Sequence, residues 1–322
     1  MNSVPALFEA SRRIVIKIGS SLLIDSGNTA RRDWLKALAE DIAGLHGRGK
    51  QIVIVSSGAI ALGRQALAWG VRKLELEEKQ AAAACGQIRL CAEWASAFRF
   101  KEGALQLAQI LLTLDDSESR RRYLNARGTF ETLLAQLNVI PIVNENDSVA
   151  TDEIRVGDND RLAARVAQMI SADLLVLLSD VRGLYALNPS TSQDRATLIH
   201  EVAQITPEIE SMASGVSSEF GSGGMRTKIE AAKIAAAAGC HMVIAYGLES
   251  HPIDALLNGS DCTWFKAKAN PSSARKHWIS GTLRSHGTYV VDDGAAQALL
   301  KGKSLLPAGV GQVGGEFGRG MP

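Results

Sequence analysis

The sequence repeats one unit: an apolar run typical of a β-strand, a turn rich in glycine and serine, and a helical stretch. The first two runs, 14–18 and 52–55, lead into Gly19-Ser20-Ser21 and Ser56-Ser57-Gly58-Ala59. Continuous β-branched runs of this kind are typical of strands that helices cover on both faces. The pattern therefore predicts an α/β fold, a three-layer sandwich with a mostly parallel central sheet. The other predicted strands are 108–112, 139–143, 174–178 and 242–245, and the predicted helices are 31–48, 77–100, 123–137, 161–171 and 226–238.

Composition excludes several classes of protein. Of the 322 residues, 46% are hydrophobic and 21% charged, which is enough apolar surface for a sizeable core. The 35 Lys and Arg nearly balance the 34 Asp and Glu, which argues against a protein that coats nucleic acid or anionic membrane. The sequence shows no apolar run long enough for a membrane span, no secretory signal and no CxxC pair. We therefore expect a cytoplasmic protein.

The pattern changes near residue 266. Residues 266–322 carry eight Lys and Arg but only three Asp and Glu, and short apolar stretches alternate there with glycine-rich turns. We therefore predict two units, 1–268 and a small β-rich appendage over 269–322. A basic patch of this size is ordinarily solvated surface, so we do not expect the appendage to bind RNA.

Lys17 is a charged residue inside the first apolar run, directly before the turn at Gly19. It could be a lysine at a strand end whose ammonium reaches solvent. We favour a cation placed over a phosphate that the amides of the turn bind, because burying an unpaired ammonium is costly. The turn 56–59 repeats this arrangement and lacks the Gly-x-Ser-x-Gly spacing of a hydrolase, which favours a second anion-binding turn.

The segment 144–160 concentrates negative charge after an apolar strand. Its one basic residue, Arg155, accompanies six carboxylates, which are Glu145, Asp147, Asp152, Glu153, Asp158 and Asp160. The contiguous polar residues 158–160 do not match the alternating ligands of a calcium loop. The segment is either a solvated acidic loop or, as we prefer, a site for a cationic amino group in which one aspartate aligns catalytic lysines.

Two later segments are typical of nucleotide contacts. Ser179 and Asp180 end an apolar strand, and residues 221–228 form a glycine-rich loop that opens a helix with a lysine in its first turn. The alternative for the second segment is a glycine cluster that caps a helix. Arg226 excludes a dinucleotide GxGxxG motif, and the Walker-like stretch 44–50 lacks the required Ser or Thr and precedes a strand.

Taken in order, these segments resemble the glutamate 5-kinase branch of the amino acid kinase family. The resemblance covers about residues 12–265 and is carried by VIKIGSSLL, IVIVSSGAIALG, QAAAACGQ, QILLTLDD, RRYLNARGTF, PIVNENDSVATDEIRVGDND, ADLLVLLSDVRGLY and GSGGMRTKIEAA. Ser20, Ser179 and Ser222 stand where threonine is common in the family, and each keeps the hydroxyl. The resemblance implies that ATP, together with Mg²⁺, phosphorylates the γ-carboxylate of L-glutamate in the first step of proline synthesis.

The resemblance also implies roles for individual residues. Lys17 and Lys228 would flank the phosphoryl group in transfer, Asp160 would hold both lysines, and Mg²⁺ would be carried by phosphate oxygens and water rather than by protein ligands. The implied contacts are Ser57, Asp147 and Asn159 with L-glutamate, Gly19 and Gly58 with phosphate, and Lys17, Ser179, Asp180, Ser222, Gly223, Gly224, Met225, Arg226, Thr227 and Lys228 with ATP.

Three further expectations follow from the resemblance. Family members are often inhibited by proline at or overlapping the glutamate site, and we expect a homodimer or homotetramer. The stretch from Arg275 onward resembles the start of a PUA domain, a module found in RNA-modifying proteins. The alternatives to a glutamate kinase are a kinase for another carboxylate, such as N-acetylglutamate, and an RNA-binding regulator built on an inactive kinase fold.

Overall fold

The computed structural model describes residues 3–25, 27, 29–70, 72–99, 105–150, 158–186, 197–213, 224–268, 271 and 287–315. The strands are β1 (Arg13–Ile18), β2 (Gln51–Ser56), β3 (Gln106–Leu112), β4 (Val139–Glu145), β5 (Leu174–Ser179), β6 (Glu201–Val202), β7 (His241–Tyr246), β8 (Cys262–Phe265), β9 (Thr288–Val291) and β10 (Val310–Gly314). The helices are α1 (Val4–Ala10), α2 (Ser20–Leu23), α3 (Arg32–Gly47), α4 (Ala59–Ala66), α5 (Leu76–Ala97), α6 (Leu114–Glu118), α7 (Arg120–Leu134), α8 (Asp158–Met169), α9 (Pro207–Ala213), α10 (Met225–Ala237), α11 (Pro252–Leu257) and α12 (Asp293–Leu300).

The central sheet confirms the predicted α/β fold with a mostly parallel sheet. Its order, within the described residues, is β3-β4-β2-β1-β5-β7-β8-β6. The strands from β3 to β7 pair in parallel, whereas β8 runs antiparallel to β7 and pairs in parallel with β6. The carboxyl ends of the parallel strands therefore meet at one edge of the sheet, where α/β proteins bind their ligands.

Helices cover both faces of this sheet. Ile14, Ile16 and Ile18 of β1 belong to an apolar cluster that includes residues of α3 and α5, while Val15 belongs to a second cluster with residues of α8 and α10. Because side chains alternate along a strand, Lys17 projects to the same face as Val15. The register of β1 thus directs the only charged side chain of its carboxyl half toward α8 and α10.

Helices α4 and α5 pack with their backbones almost in contact. A Cβ added to Gly63 would lie 1.7 Å from the carbonyl oxygen of Ala82, and one added to Gly86 would lie 1.7 Å from that of Ala59. Only glycine fits at these two positions. Just before α4, Gly58 adopts φ of +111°, a conformation that side-chain-bearing residues rarely adopt.

The predicted strands all form, but the appendage differs in one respect from its prediction. Strands β9 and β10 pair antiparallel as a separate sheet. Leu299 and Leu300, predicted to lie in a short apolar stretch of a β-rich unit, instead end helix α12. The helix forms because the Asp292 side chain accepts the backbone N–H of Ala295 as an N-cap, and because alanine and leucine favour helix. The predicted stretch 278–279 lies outside the described residues.

Within the described part of the chain, none of the helices combines the length and the apolar character needed to cross a bilayer.

Candidate active site

Polar side chains converge at the carboxyl edge of the parallel strands. Lys17 lies in β1, and Gly19 comes directly after this strand. Ser57 and Gly58 come directly after β2, and Ser179 is the last residue of β5. The neighbouring strands are in register there, with Ile18 opposite both Ser56 and Leu178. The sheet therefore brings segments more than a hundred residues apart in sequence to one place.

Asp160 lies between two lysine ammonium groups. Its Oδ1 is 2.5 Å from Nζ of Lys17 and its Oδ2 is 3.1 Å from Nζ of Lys228. The hydroxyl of Thr227 also donates to Oδ2, over 3.0 Å. The Asp160 side chain is 0% exposed and each of the two lysine side chains is 8% exposed. A single carboxylate thus fixes two cations from distant parts of the sequence.

This triad carries a net positive charge inside the protein. Burial alone would raise the pKa of Asp160, but Lys17 and Lys228 lower it to about 2, so the carboxylate is ionised at neutral pH. Burial lowers the pKa of Lys17 from its ordinary value, with the negative charge of Asp160 acting in the opposite direction. One carboxylate facing two ammonium groups leaves one positive charge that a bound anion can neutralise.

The turns beside the triad supply backbone donors. Gly19 is the N-cap of α2, and a Cβ there would lie only 3.8 Å from Nζ of Lys17, so the ammonium stands close to the turn. Gly58 is the N-cap of α4. Helix N-termini leave backbone N–H groups without intrahelical acceptors, and these groups attract anions.

A chain of amide side chains runs next to the triad. The Nδ2 of Asn159 donates to Ser57 Oγ over 2.7 Å and to Asn144 Oδ1 over 3.0 Å. The Nδ2 of Asn144 in turn donates to Gln87 Oε1 over 2.8 Å. Asn159 directly precedes Asp160 in helix α8. Adjacent residues of one helix therefore join this row of hydrogen bonds to the lysine triad.

The edge formed by β5 and β7 carries the predicted nucleotide residues. The Ser179 hydroxyl donates to Oδ1 of Asp180 over 3.1 Å, and the Ser179 carbonyl accepts the backbone N–H of Gly247 over 2.7 Å. Gly224 is the N-cap of α10, and Met225 is buried behind it. Gly224 and Met225 border the triad because Thr227 and Lys228 lie at the start of the same helix, and Ser179 ends β5, the strand beside β1.

Not every predicted site residue joins this group. Ser222 and Gly223 lie outside the described residues, as do Asp152, Glu153 and Arg155. The guanidinium of Arg226 is exposed and lies 3.3 Å from Glu230 of the same helix. Asp147 is buried in the turn after β4, near the end of the strand that carries Asn144.

Sequence reasoning missed Asn144 and Gln87 as members of the site. Asn144 could have been found, since it is the polar residue that ends the apolar run 139–143. No comparable local feature indicates Gln87 as a site residue. It lies within an alanine-rich helix, and its contact with Asn144 of β4 forms only when the chain folds. The hydroxyl of Thr227, which the resemblance assigns to ATP, also donates to Asp160, a contact that the sequence did not indicate.

Two protein families match this chain. Residues 12–246 match the amino acid kinase family, and residues 287–321 match the PUA domain.

Curated relatives are similar over nearly the whole chain. The glutamate 5-kinase of Paramagnetospirillum magneticum is 56% identical over 312 residues, which cover 97% of this chain and 83% of that protein. The glutamate 5-kinase of Rhodopseudomonas palustris strain BisB5 is 58% identical over 310 residues, covering 96% of this chain and 81% of that protein.

Solved structures of more distant proteins share the fold. A carbamate kinase from Giardia lamblia, bound to AMP-PNP, superimposes with a TM-score of 0.56 at 20% identity, over 80% of this chain and 99% of that one. A UMP kinase from Bacillus anthracis superimposes with a TM-score of 0.55 at 15% identity, over 80% of this chain and 97% of that one.

Proposed function

Because this chain belongs to the glutamate 5-kinase branch of the amino acid kinase family, we propose that it transfers the γ-phosphoryl group of ATP to the γ-carboxylate of L-glutamate. The product is L-glutamyl 5-phosphate, an acyl phosphate, and the reaction is the first step of proline synthesis.

The observation that carries this proposal is the pair of ammonium groups held by Asp160. Phosphoryl transfer depends mainly on alignment and on neutralising charge at the oxygens of the phosphoryl group. Lys17 and Lys228 supply two buried cations, one from β1 and one from α10, so each approaches the phosphoryl group from its own side. Asp160 acts as a positioning residue, since its two oxygens are both engaged with the lysines.

In the proposed reaction a γ-carboxylate oxygen of glutamate attacks the γ-phosphorus of ATP. The bond from that phosphorus to the bridging oxygen breaks, and the electron pair leaves with ADP. Lys17 and Lys228 stabilise the equatorial and leaving oxygens, while the amides of Gly19 and Gly58 bind phosphate. Neither lysine transfers a proton, because a carboxylate nucleophile needs none removed.

The remaining residues of the site divide between the two substrates. Ser57, Asp147 and Asn159 bind L-glutamate, with the carboxylate of Asp147 opposite the α-ammonium. On the other side of the triad, ATP lies along the carboxyl ends of β5 and β7, where the residues proposed to bind it are Ser179, Asp180 and 222–228. The support for this division is that Ser57 follows β2 and is hydrogen-bonded to Asn159, whereas Ser179 ends β5, on the other side of β1, the strand that carries Lys17.

The residues present fit a magnesium ion that arrives with ATP. Both oxygens of Asp160 face cations, so this carboxylate fits the lysines and not a metal. When bound, Mg²⁺ neutralises part of the charge on the phosphates. We propose that phosphate oxygens and water hold it, which leaves this chain to bind the phosphates through Lys17, Lys228 and the two turns.

Several properties of the whole protein are also proposals. We assign residues 1–268 to the catalytic domain and 269–322 to a partial PUA-like domain, supported by the matched ranges 12–246 and 287–321. We propose a cytoplasmic homodimer or homotetramer that proline inhibits at or overlapping the glutamate site. The near-neutral composition of the whole chain supports substrates that are small molecules. The appendage is basic, but a basic patch of this size is ordinarily solvated surface, so we propose no role for it in RNA binding.

The test is a hydroxylamine trap for the acyl phosphate, combined with measurement of ADP release across a panel of acids. L-glutamate should give hydroxamate, whereas N-acetylglutamate and aspartate should give little. Lys17→Ala and Lys228→Ala should each lower turnover at least about 10²-fold, the scale seen when one charge-stabilising donor is removed. Unchanged turnover in both variants, or a preference for N-acetylglutamate, would refute the assignment.

A further inference from the structure

The amide of Asn159 is held in one orientation by its neighbours. Its Nδ2 has two acceptors, Ser57 Oγ and Asn144 Oδ1. Turning the amide over would place its Oδ1 against Oδ1 of Asn144, and two carbonyl-type oxygens in hydrogen-bond contact repel each other. Asn144 would then have to turn over as well, which would place its own Oδ1 against Oε1 of Gln87.

Gln87 therefore sets the orientation of the Asn144 and Asn159 amides. Asn144 is 2% exposed, so water cannot readily replace a partner that it loses. Gln87 is half-buried on α5, and its Nε2 lies 3.6 Å from Sγ of Cys91 one turn later, which leaves its Oε1 directed at Asn144. The α5 backbone is itself fixed beside Gln87, because Gly86 packs directly against the carbonyl of Ala59.

This orientation of the amides determines which atoms of Asn159 and Ser57 remain available to a ligand. With Nδ2 of Asn159 used twice, its Oδ1 is buried and has no hydrogen-bond partner among the described residues. A buried acceptor without a donor costs free energy unless a ligand supplies that donor. Ser57 Oγ already accepts a hydrogen bond from Asn159, so its own proton is the one that it can give to a ligand.

We infer that Gln87, acting through Asn144, is a positioning residue that makes the substrate site selective for an α-amino acid. Oδ1 of Asn159 accepts from the substrate ammonium, and the Ser57 hydroxyl donates to the substrate carboxylate. This inference rests on the proposed function and adds to it a second contact for the free amino group, beside the carboxylate of Asp147. A substrate without that group leaves the buried Oδ1 of Asn159 unpaired.

The experiment compares Gln87→Met with Gln87→Glu in the full-length chain. Methionine keeps the length of the side chain and removes the acceptor, whereas glutamate keeps an acceptor for Asn144. Arg89→Met, at an exposed position of the same helix, is the matched control for placing methionine on α5. For each variant, KM and kcat are measured with L-glutamate, with glutarate, which lacks the amino group, and with ATP as the varied substrate.

Gln87→Met should raise KM for L-glutamate about tenfold and lower the preference for L-glutamate over glutarate to the same extent. Its KM for ATP should stay within about twofold of the unsubstituted value, because the change affects the α-carbon end of glutamate only. Gln87→Glu and Arg89→Met should keep the preference for L-glutamate. Thermal unfolding of each variant separates this effect from loss of folded protein.

Two results would overturn the inference, and they differ from failure of the proposed function. If Gln87→Met keeps the preference for L-glutamate, or if Gln87→Glu loses it equally, the acceptor at position 87 does not orient Asn159. If the unsubstituted protein shows no glutamate-dependent turnover, the proposed function fails and the inference fails with it. Should Gln87→Met not fold, Gln87→Lys gives the decision, since an ammonium can only donate, would draw Oδ1 of Asn144 toward itself and should lower the same preference by turning both amides over.

Discussion

At the scale of the residue, the strongest constraint is the sharing of one buried carboxylate by two ammonium groups. Either lysine alone would form an ordinary buried ion pair with Asp160. With both present, the formal charges of the three groups leave one positive charge in excess, which the exposed Asp180 offsets only from outside the triad and which an anionic ligand would neutralise. The stability of the protein and its affinity for phosphate are thus linked through Asp160.

Replacing Asp160 with asparagine should destabilise the protein by about 3–5 kcal/mol, because it leaves Lys17 and Lys228 facing each other without a counter-charge. Urea unfolding at neutral pH measures the difference. Asp115→Asn is the matched control, since Asp115 is exposed on α6, outside the candidate site, and its replacement should change the free energy of unfolding by less than about 0.5 kcal/mol.

Two further measurements sharpen this prediction. The double variant Lys17→Met with Asp160→Asn should recover part of the lost stability, because it removes one of the two facing charges. The pKa of Asp160, about 2, lies below its unfolded value, so its stabilising contribution is present above about pH 4 and disappears as the pH falls through 2. An Asp160→Asn variant as stable as the unsubstituted protein would contradict the pairing.

At the scale of the element, the close approach of α4 and α5 positions both the turn at Gly58 and the residue Gln87. Gly63→Ala should destabilise the protein by at least about 1–3 kcal/mol, because the new methyl group would overlap the Ala82 carbonyl and the backbone must move. The free energy of unfolding, measured by chemical denaturation, tests this.

Gly128 provides the matched control within α7. A Cβ there meets nothing within 4 Å, so Gly128→Ala should stabilise the protein by about 0.5–1 kcal/mol through helix propensity alone. Equal effects of the two substitutions would show that α4 and α5 can separate without cost.

Helices α3 and α11 are joined by a second buried carboxylate. Asp41 of α3 accepts the backbone N–H groups of Ile253 and Asp254 over 3.0 and 3.3 Å, and its Oδ1 lies 2.7 Å from Nδ1 of His251. Glu40 also faces this histidine, 3.9 Å away. The hydrogen bond to Asp41 raises the pKa of His251 above its ordinary 6.5, against the opposing effect of burial and with the help of the negative charges of Asp41, Glu40 and Asp254.

This histidine should make stability depend on pH. Because the folded state raises its pKa, the contribution of His251 is fully present below pH 6.5 and is lost as the pH rises through the folded value. His251→Gln should therefore lower the melting temperature more at about pH 5.5 than at about pH 8.5. The side chain is 43% exposed, so solvent screening limits the difference to about 1 kcal/mol. Burial raises the pKa of Asp41, but the two backbone N–H groups that donate to it are present at both pH values. A variant that loses more stability at about pH 8.5 than at about pH 5.5 would contradict the assignment of this pH dependence to His251.

At the scale of the whole molecule, the sequence predicted what depends on local pattern. The strands at 14–18, 52–55 and 174–178 were predictable because uninterrupted β-branched runs suit a sheet covered on both faces. The short strands β6 and β8 were not, since two to four residues carry too little periodicity to be distinguished from a loop. Helix α12 was missed because a short alanine-rich stretch between glycines has no decisive pattern.

The candidate site divides in the same way. Lys17 and the acidic segment 144–160 attracted notice because charge stands out in or beside an apolar strand. The contact of Gln87 with Asn144 joins residues 57 positions apart through helix packing, and no feature of either local sequence indicates it. Burial and polarity of an amide are properties of the assembled fold.

The two units of the chain differ in how they are stabilised. Both large apolar clusters consist of residues between Leu7 and Phe265, and the eight-stranded sheet ends with β8. In the appendage, β9 and β10 form their own sheet, and Tyr289, Val290 and Val313 on it are more than half exposed. Among the described residues, the core of the eight-stranded sheet is therefore formed without the appendage.

A chain that ends at Lys268 should accordingly fold and remain active. Its melting temperature should stay within about 2 °C of the full chain and its kcat/KM for L-glutamate within about twofold. A chain that ends at Asn258 is the control, because it removes β8, uncovers the edge of β7 and should not fold. Removing an independent module leaves the buried area of the remaining unit unchanged. A large drop in melting temperature for the chain that ends at Lys268 would therefore show that the appendage stabilises that unit.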